Sequence, residues 1–174
     1  MKFLNFYNEN IVKYDLINKF NFTNINNIPK FQKITLSFNF NKYDFKLLVS
    51  ALIALEIISL QKCNLLKSKT SNISLKIRKG NPIGCKVTLR KINMQLFFFK
   101  LLNNISLLKK NKLTMFKNLN INNITLKLNN TLMFTELEKN YQFFKKLPGL
   151  NLTISVNSST NNFILFLLKS YKLH

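Results

Sequence analysis

Four short segments of this chain alternate between apolar and polar residues, and that alternation limits what the chain can fold into. Lys33-Ile34-Thr35-Leu36-Ser37-Phe38-Asn39 alternates without a fault. Cys85–Arg90, Ile124–Leu128 and Leu150–Val156 repeat the pattern. Successive side chains of a strand point to opposite faces, so each segment reads as a half-buried strand. A parallel sheet covered on both faces would show continuous apolar runs instead. Between these segments lie stretches that read as helices: 9–20, Tyr43–Leu60, Ile92–Leu108, and a last one from about Thr160, capped by Ser159 or Thr160. In the first, the apolar positions are Ile11, Leu16, Ile17 and Phe20. Asn64–Ser68 reads as a further short strand, and the Lys/Asn-rich stretch 109–123 as a loop. The expected fold class is α+β, a mostly antiparallel sheet with helices packed on one face and the other face left for RNA. A chain of 174 residues, 47% hydrophobic, is expected to form one domain over 1–174 with a substantial core.

Charge identifies the class of partner. Lys and Arg total 27 against six acids, Glu9, Asp15, Asp44, Glu56, Glu136 and Glu138, for a net charge of +21. A compact body with that charge repels itself unless a polyanion neutralises it. Nucleic acid is the first candidate and an anionic membrane surface the second. The uncovered sheet face should carry Lys33, Thr35, Ser37, Asn39, Lys86, Thr88 and Arg90, a donor-rich strip without a carboxylate. Lys and Arg answer phosphates, while Ser, Thr and Asn can answer the ribose 2′-hydroxyls in the shallow groove of A-form RNA. The bland alternative is an ordinary solvated sheet face.

Both arginines, Arg78 and Arg90, and two of the three glycines fall within Lys76–Arg90. The rest of the chain is mostly Lys, Asn, Ile, Leu and Phe, residues written with A/T-rich codons. Gly80-Asn81-Pro82-Ile83-Gly84 reads as a stiff turn, because glycine permits positive φ and proline fixes φ near about −65°. The preceding loop carries Lys67, Lys69, Lys76, Arg78 and Lys79, so it could reach a second nucleic-acid partner.

Catalysis finds little support. The sole histidine is the terminal His174. Glu136 and Glu138 are two apart, a poor arrangement for acid–base work. Gly80 and Gly84 lack the ending of a phosphate-binding P-loop. Cys63 and Cys85 cannot complete a zinc site; they read as reduced thiols, with a disulfide as the alternative. Neither a cofactor nor a metal is implied. Leu47–Leu60 spans 14 residues and contains Glu56, whereas a membrane helix needs about 20. No secretory signal is visible at Met1–Asn10, and no arginine-rich presequence precedes Arg78. The runner-up function is a peripheral membrane protein binding anionic lipid, although Trp and a clearly basic, amphipathic helix are both missing.

The run from Gln61-Lys62 through Lys76-Ile77-Arg78-Lys79-Gly80-Asn81-Pro82-Ile83-Gly84-Cys85-Lys86-Val87-Thr88-Leu89-Arg90 closely resembles the signature of universal large-subunit ribosomal protein family five. Ile28-Pro29-Lys30 with Lys33–Leu36, Leu132–Glu136 and Gly149–Ile154 extend the resemblance over essentially the whole length. It implies a structural protein of the large ribosomal subunit, without enzymatic activity, that binds 5S rRNA in the central protuberance among large-subunit rRNA and neighbouring proteins. The matching rRNA-binding positions are Lys33, Thr35, Asn39, Gln61, Lys62, Lys67, Lys69, Lys86, Thr88 and Arg90. The resemblance further implies a loop approaching P-site tRNA, matched by Ser71, Asn72, Ser74, Lys76 and Arg78. A second loop, near Lys109–Asn123, would help bridge to a head protein of the small subunit. The family commonly has Gly where Ser74 stands, and its bridging loop normally holds Gly and Arg, which are absent here. The A/T-driven composition looks like that of a protein encoded in a mitochondrial genome and working in the matrix, on the mitochondrial ribosome.

Overall fold

The computed structural model describes residues 6–22, 24–40, 44–75, 77–107, 118–120, 123–157 and 161–171. Six strands form one sheet: β1 (Lys30–Asn39), β2 (Asn64–Lys67), β3 (Pro82–Leu89), β4 (Asn118–Asn120), β5 (Asn123–Leu128) and β6 (Leu150–Asn157). Their order is β2-β3-β1-β6-β5-β4, and every neighbouring pair is antiparallel. The fold is α+β, as the alternation predicts.

Helices cover one face of the sheet. They are α1 (a π-helical turn, Asn8–Val12, running into α-helix Lys13–Lys19), α2 (Phe45–Ser59), α3 (Lys91–Leu107), α4 (Thr135–Glu138), α5 (Tyr141–Phe144) and α6 (Asn161–Ser170). Ile34, Leu36 and Phe38 of β1 point into this layer with Val87 and Leu89 of β3, Leu126 of β5 and Leu152 and Ile154 of β6. All are essentially inaccessible, and each contributes about 1.5–3 kcal/mol by leaving water. Leu36 is register-paired with Val87 on one side and Leu152 on the other, so the apolar residues form continuous rows. In α2, Ala51 and Ala54 are fully buried and their small size lets the helix lie close. Asp44 caps α2 by accepting a hydrogen bond from the Lys46 amide at 3.0 Å. Leu60, with φ of 53°, ends it.

Four features depart from the sequence reading. In α1 the buried residues are Val12 and Leu16, whereas Ile11 and Ile17 are exposed. The π turn, closed by the Lys13 amide on the Asn8 carbonyl, inserts an extra residue and shifts the helical phase. The stretch 109–123 is not wholly loop: Asn118–Asn120 pairs with β5 as an edge strand, while 108–117, 121 and 122 lie outside the described residues. Residues 131–144 fold into a 3₁₀ turn and two short helices that bury Phe134, Leu137 and Phe144. Finally, the predicted turn Gly80–Gly84 is divided. The bend lies at Arg78–Asn81, where the Asn81 amide donates to the Arg78 carbonyl and Gly80 has φ of 90°. Gly84 is already in β3, and a Cβ there would come within 2.5 Å of the Phe38 carbonyl oxygen. Close strand approach, and not positive φ, requires that glycine.

Candidate nucleic-acid interface

The register of the six strands fixes what stands on the face away from the helices. Asn64, Lys86, Ser37, Asn151 and Lys127 are paired in succession across five strands. Two residues further along each strand, Thr88, Thr35, Thr153 and Thr125 form a second row. Lys33, Ser155 and Asn123 form a third. Arg90, exposed, follows Leu89 and continues the outward set of β3 beyond the Ile34–Leu89 pair. None of these strand positions is acidic or aromatic.

All six acidic side chains belong to the helical layer. Glu9 and Asp15 lie in α1, Glu56 in α2, Glu136 and Glu138 in α4, and Asp44 caps α2. Helix propensity partly accounts for this, because Asp and Glu are poor strand formers and good first-turn or cap residues. The electrostatic result is a face with cations and neutral donors only, backed by a layer in which each sign is present. Glu136 is engaged there by the Lys100 ammonium at 2.8 Å. Partial burial raises the Glu136 pKa, but the Lys100 hydrogen bond and charge outweigh it, and the net shift is downward. Glu138 is exposed and separate, so the two carboxylates do not form an acid–base pair.

The predicted rRNA-binding residues divide by element. Lys33, Thr35 and Asn39 of β1, Lys86 and Thr88 of β3, and Arg90 just after β3 share the open face. Gln61 and Lys62 are exposed in the link from α2 to β2. That link is tied down: the Gln61 Nε2 donates to the Thr88 carbonyl at 3.4 Å, the Ser59 hydroxyl donates to the Leu55 carbonyl at 2.6 Å, and Glu56 accepts from the Cys63 amide at 3.0 Å. Lys62 is thereby held at the β3 end of the face. Lys67 ends edge strand β2 and Lys69 follows it, both exposed.

The predicted tRNA-facing segment is a narrow hairpin and not an open loop. At its base the Ser68 hydroxyl donates to the Arg78 carbonyl at 2.6 Å, the Ser68 amide to the Asn81 carbonyl at 2.9 Å, and the Gly80 amide to the Ser68 carbonyl at 3.1 Å. Higher up, Asn72 and Ile77 exchange both backbone hydrogen bonds, at 2.8 and 3.0 Å. The Asn72 carboxamide accepts from the Ser74 amide and hydroxyl, tightening the tip. Ser71, Asn72 and Ser74 are exposed near that tip, where Ile73 is 96% exposed. Arg78 lies on the returning strand; Lys76 is outside the described residues.

Sequence reasoning misses Asn151, Thr153 and Ser155 of β6 and Thr125 and Lys127 of β5 as members of the site. Their alternation is visible, but the placement of β6 beside β1 is a long-range fact that periodicity does not carry.

The remaining chemistry is structural. Cys63 and Cys85 are free thiols. Burial, with smaller contributions from Cys85 and Glu56, pushes Cys63 up to about 12, and burial pushes Cys85 up to about 11. Among the described residues no three His, Cys, Asp or Glu side chains stand together as a metal site, and no helix is long and apolar enough to cross a membrane.

Residues 82–174, from the start of β3 onward, match the family model for the C-terminus of the ribosomal protein uL5 family. Over nearly its full length the chain is 36% identical to the large ribosomal subunit protein uL5 of Wigglesworthia glossinidia brevipalpis, covering 98% of this chain and 97% of that protein. The large ribosomal subunit protein uL5m of Reclinomonas americana is 32% identical, over 95% of this chain and 93% of that one. The uL5 protein of Nitrosomonas europaea is 30% identical, over 98% and 96%.

Proposed function

We propose the following role for this chain, which belongs to the ribosomal protein uL5 family: it is a structural protein of the large ribosomal subunit, not an enzyme, that holds 5S rRNA against its open sheet face in the central protuberance. One observation carries the RNA-binding assignment. A face built from four strands displays Lys33, Lys86, Lys127 and neutral hydroxyl and amide groups, while every acidic side chain is in the helical layer behind it. Such a face neutralises phosphates without presenting a repelling carboxylate. Lys62, Lys67 and Lys69 extend the cationic surface along the β2–β3 side.

The hairpin between Ser68 and Gly80 is proposed to approach the P-site tRNA through Ser71, Asn72, Ser74, Lys76 and Arg78. Its latched base supports this role, because a tip held by paired backbone hydrogen bonds loses little entropy on binding. The segment 109–123 is proposed to reach a head protein of the small subunit. The A/T-driven composition favours a mitochondrial ribosome as the place of work, and 1–174 acts there as one domain.

Two measurements test the reading. Crosslinking within purified ribosomes from the source cells should join the open face to 5S rRNA and the hairpin to tRNA; crosslinks only from the helical face would overturn the assignment. Sedimentation from isolated mitochondria should place the chain with the large subunit, and its recovery only with cytosolic or ribosome-free fractions would refute the location.

A further inference from the structure

The three rows on the open face differ in chemistry, and their order is informative. Lys86 and Lys127 stand in the first row, on β3 and β5. Lys33, with Arg90 at the end of β3, belongs to the third. Between them the middle row is threonine on four successive strands: Thr88, Thr35, Thr153 and Thr125. A rise of about 3.3 Å per residue puts the two cationic rows roughly 13 Å apart, with the threonines midway. Strand spacing of about 4.8 Å makes the threonine row roughly 14 Å long. Thr35, Thr88 and Thr153 are half-buried, and their hydroxyls make no hydrogen bond within the described residues. Threonine is a good strand former in its own right, yet valine is as good and would leave no unspent donor on the surface.

We infer that the threonine row reads the ribose 2′-hydroxyls of an A-form RNA duplex across its shallow groove, while the cationic rows on either side meet the two phosphate backbones. The inference rests on the RNA-binding reading and deepens it: it names duplex RNA, and it adds Thr153, Thr125 and Lys127 to the site. A hydroxyl both donates and accepts, as the 2′-hydroxyl does, so the pair can match at each ribose without reading sequence. A row of lysines in the middle would have gained charge but lost this discrimination.

Binding of the full chain to an RNA duplex and to the 2′-fluoro duplex of the same sequence tests the inference. Both are A-form with the same phosphates, and only the first carries ribose hydroxyls. The native chain should bind the RNA at least about tenfold more tightly, on the basis of about fivefold per hydrogen bond and two or more bonds. The double variant Thr35→Val, Thr153→Val should lose that preference while keeping its affinity for the 2′-fluoro duplex. Thr153→Ser, which keeps the hydroxyl, should retain the preference, so a general packing defect is distinguishable. Lys127→Ala should instead lower the slope of log K against log salt by roughly one and leave the preference intact. Equal native binding to the two duplexes overturns the ribose reading, as does an unchanged preference in the double valine variant. Native failure to bind either duplex overturns the RNA assignment itself.

Discussion

Gly84→Ala is a direct test of how β1 and β3 fit together. The added methyl would lie 2.5 Å from the Phe38 carbonyl oxygen, an atom of the neighbouring backbone that cannot rotate away. The two strands are locked on either side of this point by the Asn39–Gly84 and Phe38–Cys85 pairs and by the Phe40 amide donating to the Ile83 carbonyl at 2.9 Å. Relief therefore requires the strands to separate. Overpacking of this kind costs about 1–3 kcal/mol. For a chain of this size each kcal/mol lowers the melting temperature by about 2–4 °C, so thermal unfolding followed by circular dichroism should show a drop of about 2–12 °C. Gly80 provides the contrast. Its φ is 90° and a Cβ there meets nothing within 4 Å, so the cost is conformational, about 1 kcal/mol for alanine. Asparagine tolerates positive φ better than alanine. The order expected is therefore opposite at the two sites: asparagine better than alanine at position 80, and worse at 84. A Gly84→Ala protein melting within about 1 °C of the native one, or a Gly84→Asn protein more stable than Gly84→Ala, would refute the close-approach argument.

Further outcomes are expected from other parts of the molecule. Arg90→Ala should weaken RNA binding more than Lys139→Ala, because Lys139 is exposed on the helical layer; filter binding at fixed salt compares them. Ser68→Ala removes the hydroxyl that closes the hairpin base, and amide exchange at Asn72 and Ile77 should quicken while exchange in β1 does not. Glu136→Gln should cost no more than about 1 kcal/mol, since the Lys100 pair is partly exposed. The Glu136 pKa is lowered on folding, so its contribution is complete above the unfolded carboxylate pKa of about 4.3 and fades as pH falls through the lower folded value. A stability difference between native and variant that persists under strongly acid conditions would contradict that origin. At pH 8.5 an unfolded thiol is about half ionised, whereas Cys85, raised to about 11, is almost wholly protonated; alkylation of folded protein should be slower by about a hundredfold or more, and equal rates would show the thiol is not protected.

The sheet is legible in the sequence because its strands are wet on one side. Ile34, Leu36 and Phe38 alternate with Lys33, Thr35 and Ser37, and the structure puts the two sets on opposite faces. The first helix is legible in position but not in orientation, because the π turn at Asn8–Val12 displaces the apolar phase on which a regular helix depends. The segment holding Phe134, Leu137 and Phe144 gives no readable period, since each of its turns is four residues or fewer. The β1–β3 half of the open face can be drawn from alternation and resemblance together. The β5–β6 half cannot, because strand order arises from pairing between residues more than a hundred positions apart, such as Thr35 with Thr153. Gly84 stands out in the sequence, but there a glycine at a bend and a glycine under a neighbouring carbonyl look the same.

The confinement of acidic side chains to the helices acts before any bond to RNA is made. With positive charge unopposed on one side and partly cancelled on the other, the folded chain has an electric moment directed out of its sheet. In the field of a polyanion it experiences a torque, and it rotates as it diffuses so that the strands lead. Most collisions then begin near the productive orientation, and added electrolyte, by shortening the reach of that field, should slow capture before it loosens the finished complex.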